Sequence, residues 1–369
     1  MVTDLAFNPM TQLPQKAHPT AKAFFDALDQ YNRDQAGGQQ TLDDDDNSGT
    51  GTSPGKPPMS EALKRKSQSL GWRNRNSQND FYPVTVCQSF PISKADADSR
   101  ARQIRRRNFS VHQVQRGEVE GTYGTGATVW PAAMVLIKYL ERNHNNDISR
   151  NSDNSVTLRG RHVIDLGGGT GIGSIAAALL GASSVVCTDG EESVVRLARD
   201  NIIRASHQLS DVKSDPISTV QDSSSDTVVS ISDCPIRTQT YWWGDGSSQS
   251  LMNSNNNNGL AILVADCVLP KLYPIAPLVQ AIDECLRLYD EKEGTCDDGN
   301  PALASSSSFA VVSYEHRYYS DYDPRVEFRR LATECYLDVH VVPREEMDPV
   351  YSLEDVEIWI VRRHRYPPS

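Results

Sequence analysis

The sequence lacks the features that mark membrane, disulfide-bonded secreted and general nucleic-acid-binding proteins. It has no apolar run near the roughly 18 residues that cross a bilayer, and its N-terminal region has no apolar signal core. Its seven cysteines show no Cys-x-x-Cys pair and no metal-ligand spacing, which favours a reducing compartment and no metal site. A formal net charge of -11 gives no general basic footprint for nucleic acid. We therefore expect a soluble monomer in the cytoplasm, and also in the nucleus, that binds neither membrane nor nucleic acid.

Hydrophobic residues are also scarce, at 38% of the chain, and the deficit is localised. The first 75 residues include "TLDDDDNSGTGTSPGKPP", a composition that cannot bury enough surface to order itself. The basic cluster "RQIRRR" (102–107) is predicted to be a solvated edge before the domain, with a nuclear-import or acidic-partner patch as the alternative. We predict a disordered tail over 1–75 and one domain over 76–369, with polar loop insertions near 143–157, 205–235, 246–259 and 291–308.

What remains, from residue 110 onward, alternates short apolar runs with helical patterns. Strands that alternate with helices imply a parallel, doubly wound sheet. The last two strand-like segments, "DVHVVPREEM" and "VEIWIVRR", have only a polar loop between them, so the final strand is expected to run antiparallel. We predict an α/β fold with a doubly wound, mostly parallel seven-stranded sheet and an antiparallel C-terminal strand.

A glycine-rich turn follows the first of these strands, and its register separates two ligand classes. A dinucleotide fold needs Gly-x-Gly-x-x-Gly directly after the strand. Here the nearest fit starts at Gly171, four residues past the first glycine of "DLGGGTGIG". Asp165, two residues before that first glycine, would repel a pyrophosphate but suits the cationic methionine end of S-adenosylmethionine. The turn therefore favours S-adenosylmethionine over a dinucleotide, with contacts predicted from Gly167, Gly168 and Gly169.

Two further carboxylates end predicted strands at the edge where such folds bind ligands. Asp189 ends the second strand, where an acidic side chain can accept hydrogen bonds from both ribose hydroxyls, although NAD enzymes use the same device. Asp266 ends the apolar strand "LAILVAD", and because an unpaired buried carboxylate is costly, we expect a functional role for it. Glu315 and Arg317 share one face of a later strand, where they form either a structural ion pair or part of the site.

Five segments in order, over about residues 110–363, resemble the eukaryotic seven-β-strand protein-lysine methyltransferases, which have the Rossmann-like class I methyltransferase fold. The segment "VVSYEHR" is close to the "YEQR" strand of the valosin-containing-protein lysine methyltransferase, and the C-terminal segment also fits that relative. The resemblance implies that Trp130 lines the cofactor site and that Trp243 lies beside the adenine. It also implies that Ala265 and Asp266 are the family's Ala-Asp, and that Tyr314 and Glu315 are catalytic candidates. The segments are "GATVWPAAMVLIKYL", "YWWG", "LVADCVL", "VVSYEHR" and "EDVEIWIVRR".

One departure from the family concerns the acceptor. The family has Tyr or Phe three residues after the aspartate of its Ala-Asp, and this chain has Leu269 there, so Tyr273 or Tyr314 would have to supply the aromatic surface. The resemblance implies in-line transfer of a methyl group from S-adenosylmethionine to a lysine side chain of a protein substrate. A histidine, arginine or small-molecule acceptor, a catalytically silent scaffold and an NAD-dependent oxidoreductase are the alternatives.

Overall fold

The computed structural model describes most of the chain from residue 72 onward. The predicted tail before that point lies outside the described residues. So do the central parts of the predicted insertions, residues 147–155, 211–227, 253–258 and 295–307. The described residues are 72–73, 76–77, 79–91, 102–114, 125–146, 156–210, 228–252, 259–270, 272–294, 308–317, 319 and 322–364.

The described residues form ten strands and five α-helices. The strands are β1 (Phe81–Pro91), β2 (Arg102–His112), β3 (His162–Leu166), β4 (Ser184–Asp189), β5 (Val229–Ile231), β6 (Cys234–Thr240), β7 (Leu260–Ala265), β8 (Phe309–Glu315), β9 (Leu337–Val341) and β10 (Val356–Arg363). The helices are α1 (Pro131–Asn146), α2 (Ile172–Leu179), α3 (Glu192–Leu209), α4 (Ile275–Gly294) and α5 (Pro324–Glu334). None of the described helices is long and apolar enough to cross a membrane.

Eight of these strands form the central sheet, in the order β5-β6-β4-β3-β7-β8-β10-β9. The five strands from β6 to β8 are mutually parallel, and β10 pairs antiparallel with both β8 and β9. This confirms the predicted mostly parallel sheet with its antiparallel C-terminal strand. The predicted count of seven is wrong for the described chain, because the three-residue β5 adds an antiparallel strand at the β6 edge.

Alternation along the strands divides the apolar side chains between two cores. Val163 of β3 packs with α1, α2 and α3, whereas its neighbour Ile164 packs with α4 and α5. Successive strand residues point to opposite faces, and a parallel sheet covered on both faces buries both sets. Every β3 residue is therefore buried, and the open carboxyl ends of the strands are left as the place for a site.

The sequence interpretation missed a hairpin that packs on the first core. Strands β1 and β2 pair antiparallel from Phe81 with His112 to Pro91 with Arg102. The cluster "RQIRRR" is therefore the first half of β2 and belongs to the domain, while its residues Gln103–Arg106 are solvent-exposed as predicted. Its last residue, Arg107, is buried and donates a hydrogen bond to the Leu209 carbonyl.

Secondary structure also extends into the predicted insertions, and the end of the predicted tail packs on the domain. The helices α1, α3 and α4 run into the predicted insertions, to Asn146, Leu209 and Gly294. Trp72 was assigned to the tail, but it is buried, and its indole N–H donates to the Val350 carbonyl at 3.0 Å. Its ring lies 4.8 Å from that of Tyr351. Residues 72 and 73 thus pack on the domain.

Candidate functional site

A cavity of about 450 Å³ opens at the carboxyl ends of β3, β4 and β7. Its volume lies within the range of about 300 to 1,000 Å³ that is typical of small-molecule sites. The structure brings together here all of the predicted cofactor-binding residues and one of the three catalytic candidates, Asp266. The cofactor-binding residues are Trp130, Asp165, Gly167, Gly168, Gly169, Asp189, Trp243 and Ala265.

The turn after β3 requires glycine at two of its positions. Gly167 has φ +69°, and a Cβ there would lie 2.6 Å from the Cys267 sulfur. Gly169 has φ +55°, and a Cβ there would lie 2.8 Å from the main-chain oxygen of Gly126. Both the left-handed backbone and the close neighbours exclude a side chain, so the turn presents bare main chain to the cavity.

Asp165 lies beneath this turn as a buried carboxyl group. The Ser174 hydroxyl donates to its Oδ2 at 2.7 Å. Burial raises the pKa of Asp165 to about 6, against the opposing effect of the hydrogen bonds from Ser174. The sequence interpretation missed Ser174, whose only signal is a hydroxyl in the first turn of the helix that follows the glycines.

This raised pKa makes the Asp165 contribution to stability depend on pH. The folded-state pKa of about 6 lies above the ordinary value of 3.8. Below about pH 4 Asp165 is protonated in both the folded and the unfolded protein, so its titration costs no unfolding free energy. As pH rises through 6, the unfolded state gains more from ionisation of Asp165 than the folded state does, and the wild type loses stability. We expect Asp165→Asn to gain about 3 kcal/mol in unfolding free energy over wild type between pH 4 and pH 8, since each pKa unit is about 1.4 kcal/mol.

Urea unfolding of both proteins across this pH range measures the difference, in which the other titrating groups cancel. A difference that stays constant from pH 4 to pH 8 would contradict a raised Asp165 pKa. The same variant should bind a cationic ligand more weakly at pH 8, because the negative charge beneath the turn is gone.

Asp189 ends β4 and faces the same cavity. Its carboxylate accepts the backbone N–H of Gly169 at 3.3 Å and that of Glu191 at 3.2 Å. Burial raises the pKa of Asp189, and these backbone hydrogen bonds oppose the rise. A carboxylate has about four lone-pair positions. The two amides fix its orientation and leave positions that can accept a pair of ligand hydroxyls.

Aromatic rings form two walls of the cavity. The indole N–H of Trp130 donates to the Thr125 carbonyl at 2.9 Å, which fixes that ring at the start of α1. Trp243 packs edge-on against Tyr273, with ring centroids 5.8 Å apart. The Tyr273 hydroxyl shares a hydrogen bond of 2.6 Å with the Thr125 hydroxyl. The two walls are therefore tied together through Thr125, which the sequence interpretation did not identify.

Asp266 occupies the other end of the cavity, directly after β7. It is a non-glycine residue at φ +56°, a strained conformation that the surrounding structure must hold. Its side chain is only 1% exposed, and Arg317 donates to Oδ1 at 2.8 Å and to Oδ2 at 2.6 Å. Burial raises the pKa of Asp266, and the hydrogen bonds from Arg317 oppose that rise. This bidentate ion pair places both a negative and a positive charge at that end of the site.

Of the two alternatives for Glu315 and Arg317, the structure excludes a side-chain ion pair between them. Arg317 pairs with Asp266, and it reaches Glu315 only at the main-chain oxygen, at 3.1 Å. The Glu315 carboxylate instead accepts from Arg73, and the Glu315 side chain does not line the cavity. Arg317 also lies over the Trp130 ring, 5.7 Å from its centroid. The residue that joins Asp266 to the aromatic wall is thus Arg317.

Tyr314 is not at the site. Consecutive residues on a strand point to opposite faces, so Tyr314 and Glu315 cannot both face one site. Tyr314 is buried in the second core, with its ring 5.2 Å from Trp359. This corrects its assignment as a catalytic candidate. Of the two alternatives for the aromatic surface missing at Leu269, Tyr273 lines the cavity together with Leu269 and Tyr314 does not.

The strand order and the site together define a Rossmann-like class I methyltransferase fold. In such open sheets a ligand binds outside the carboxyl ends of the parallel strands, which is where the glycine turn, Asp165 and Asp189 meet. The antiparallel β10 between β8 and β9 is the predicted C-terminal finish of that fold.

Part of the chain is similar to one family of proteins. Residues 111–234, about a third of the chain, match the family model described as lysine methyltransferase. This confirms the predicted resemblance for a segment that holds Trp130, Asp165 and Asp189 and ends before Asp266.

Individual relatives match over similar lengths. The protein N-lysine methyltransferase METTL21A of Danio rerio is 39% identical over 83 residues, which cover 22% of this chain and 33% of that protein. The protein-lysine methyltransferase METTL21E of Bos taurus is 36% identical over 104 residues, which cover 27% and 32%. The chain thus spans about a third of the length of these relatives. The solved structure of Trm1 from Pyrococcus horikoshii with S-adenosyl-L-methionine is 11% identical, with a TM-score of 0.35 over 69% of this chain and 58% of that one.

Proposed function

We propose that the protein is an S-adenosylmethionine-dependent methyltransferase that methylates a lysine side chain of a protein substrate. The observation that carries the proposal is a single cavity with two chemically different ends. Asp165, Asp189 and the glycine turn form one end, and Asp266, which is held by Arg317, forms the other. The match of residues 111–234 to the lysine methyltransferase family supports the same reaction.

The residues at the first end fit S-adenosylmethionine. The bare turn at Gly167 and Gly169 lets main chain approach the ligand, and a carboxylate lies beneath it for a cationic amino-acid end. Asp189 has lone-pair positions for two ribose hydroxyls, and Trp243 presents a ring for the adenine. When bound, S-adenosylmethionine supplies a methyl group activated by its sulfonium, so the chain needs no covalent nucleophile.

The residues at the second end would prepare the acceptor. A lysine amine is protonated in water, with a pKa of about 10.4, and must be neutral to attack. Leu269 and Tyr273 line the cavity with Asp266, and a lining of low dielectric would lower the pKa of an amine that enters. Arg317 holds the Asp266 carboxylate by two hydrogen bonds, and the remaining lone pairs can orient the amine. Most of the rate gain would come from this alignment.

Calorimetry on the full chain tests the cofactor part. We expect saturable binding of S-adenosylmethionine and of its demethylated product, and no binding of NADH. Incubation with radiolabelled cofactor and the total protein of cells that lack this protein then tests transfer. We expect label in a protein band and methyl-lysine in its hydrolysate.

Other outcomes of these two experiments would favour a different function. Binding of NADH alone would favour the oxidoreductase, and no binding of either cofactor would favour the silent scaffold. Label in methyl-histidine, methyl-arginine or a small molecule would keep the cofactor and replace the acceptor.

Partner, assembly and compartment are parts of the same proposal. We propose a protein substrate, a monomeric enzyme and a cytoplasmic location that extends to the nucleus. The six described cysteines without disulfides are consistent with a reducing compartment. Light scattering after gel filtration would test the monomer, and tagged protein in cells would test the location.

A further inference from the structure

Five charged side chains form one network at the Asp266 end of the cavity. Asp266 pairs with Arg317, and Glu315 pairs with Arg73. Arg73 also donates to Asp355 at 2.7 Å. Three carboxylates thus share two guanidinium groups, and the second of these comes from the segment before the hairpin, more than 240 residues away from Glu315 in sequence.

Glu315 connects the two pairs. Its backbone N–H donates to Asp266 Oδ1 at 3.3 Å, and its main-chain oxygen accepts from Arg317 at 3.1 Å. Its side chain is 15% exposed, and its Oε2 is buried with no hydrogen-bond partner among the described residues. Burial raises the pKa of Glu315, and the charge of nearby Asp266 raises it further. Glu315 therefore depends on Arg73 for charge compensation.

Loss of Arg73 would leave a buried carboxylate without its cation, which is costly. Arg317 is then the guanidinium available to compensate Glu315, since it already contacts the Glu315 main chain. Because Arg317 reaches Glu315 at the main-chain oxygen and not at the carboxylate, it would have to move to compensate that carboxylate, and the move would weaken its bidentate pair with Asp266. Arg73 thus keeps the two carboxylates from competing for Arg317.

We infer that Arg73 is a positioning residue for the acceptor end of the site. It pairs with Glu315 and Asp355, and so leaves Arg317 paired with Asp266 and placed over Trp130. Trp72 anchors the segment beside it through the Val350 carbonyl. The inference rests on the proposed function only for its effect on methyl transfer, because the placement of Arg317 can be measured without turnover.

Fluorine NMR of the full chain labelled with 5-fluorotryptophan measures that placement. The chain has five tryptophans, and the variant Trp130→Phe identifies the Trp130 signal. We expect Arg73→Met to move this signal as Arg317 leaves the ring, and Arg73→Lys to restore most of its position. We expect the double variant Arg73→Met/Glu315→Gln to restore it as well, because the amide no longer competes for Arg317.

Arg325→Met is the matched control. Arg325 also bridges two carboxylates, Asp323 and Glu357, and is 31% exposed where Arg73 is 22% exposed. Glu357 lies opposite Tyr314 in the β10–β8 register, on the other face of the sheet from Glu315. Loss of the Arg325 guanidinium should therefore leave the Trp130 signal unchanged.

Methyl transfer to the labelled protein band gives the second readout. Relative to wild type, we expect Arg73→Met to lower transfer about tenfold, with the affinity for S-adenosylmethionine unchanged, as for groups coupled within one network. In the Glu315→Gln background, Arg73→Met should lower methyl transfer only slightly. A Trp130 signal that Arg73→Met does not move, or a move that Glu315→Gln does not reverse, would overturn the inference whether or not the protein transfers methyl groups. A wild type without transfer would overturn the proposed function alone.

Discussion

Replacing Asp189 with alanine is expected to weaken S-adenosylmethionine binding by about 100-fold or more. The carboxylate is held by the amides of Gly169 and Glu191 and faces the cavity where β4 ends. Two ribose hydroxyls would each give it a charge-assisted hydrogen bond, worth about 1.5 to 3 kcal/mol. Because each factor of ten in Kd is about 1.4 kcal/mol, loss of both gives at least this weakening. Calorimetric titration of wild type and variant measures it.

Glu192→Ala is the control for this change. Glu192 is an exposed carboxylate three residues further on, and its ion pair with Arg196 at 3.3 Å is a surface contact. Such pairs contribute little, about 0.3 to 0.5 kcal/mol on a helix, so its removal should leave the Kd unchanged. If Asp189→Ala changes the Kd by no more than the control does, Asp189 is not the ribose ligand and the orientation proposed for the cofactor is wrong.

The cofactor end of the site could be predicted because its determinants are local. Strand β3, the glycines and helix α2 are contiguous in sequence, and the positive φ angles that favour glycine at positions 167 and 169 belong to this local turn, although the close neighbours Cys267 and Gly126 come from elsewhere in the chain. The end of the next strand then gives Asp189 directly. The mostly parallel direction of the strands followed in the same way from the alternation of strands and helices.

The hairpin was missed although part of its pattern was present. Tyr82, Val84 and Val86 alternate with exposed residues in β1, which is the period of a half-buried strand. In β2, however, four successive exposed residues, Gln103–Arg106, conceal the alternation. These four residues pair with Cys87–Phe90, at the end of the hairpin that is remote from Phe81 and His112. Polar residues at that end do not argue against a strand.

The acceptor end could not be predicted because it depends on tertiary contacts. Their spacing predicts a shared strand face for Glu315 and Arg317, with an ion pair between them as one alternative, but β8 ends at Glu315. The fold instead brings each a partner from elsewhere in the chain, Asp266 for Arg317 and Arg73 for Glu315. Charges attract at any sequence separation, and the chain path decides which pairs meet. The roles of these side chains in transfer stay predictions that only variants can test.

Replacing Asp266 with asparagine is expected to lower the rate of methyl transfer by about 100-fold, the lower end of the effects of a positioned acid–base group. The amide keeps the shape of the carboxylate but loses its charge, so Arg317 loses its ionic partner and an incoming amine loses its acceptor. The affinity for S-adenosylmethionine should change by less than about threefold, because the groups proposed to bind it lie at the other end of the cavity. Rates at saturating cofactor and calorimetric titration of the same sample separate the two effects.

Asp323→Asn controls for the loss of a carboxylate that is paired with an arginine. Asp323 accepts from Arg325 at 2.7 Å but caps helix α5 instead of lining the cavity, so its loss should affect stability and not transfer. Removing one partner of a buried ion pair can cost about 3 to 5 kcal/mol, so the rates must be compared below the melting temperature of each variant. A folded Asp266→Asn protein that binds the cofactor and transfers at the wild-type rate would leave Asp266 with a structural role only. In that case, the acceptor amine would have to be aligned by the aromatic walls, with Tyr273 as the next residue to replace.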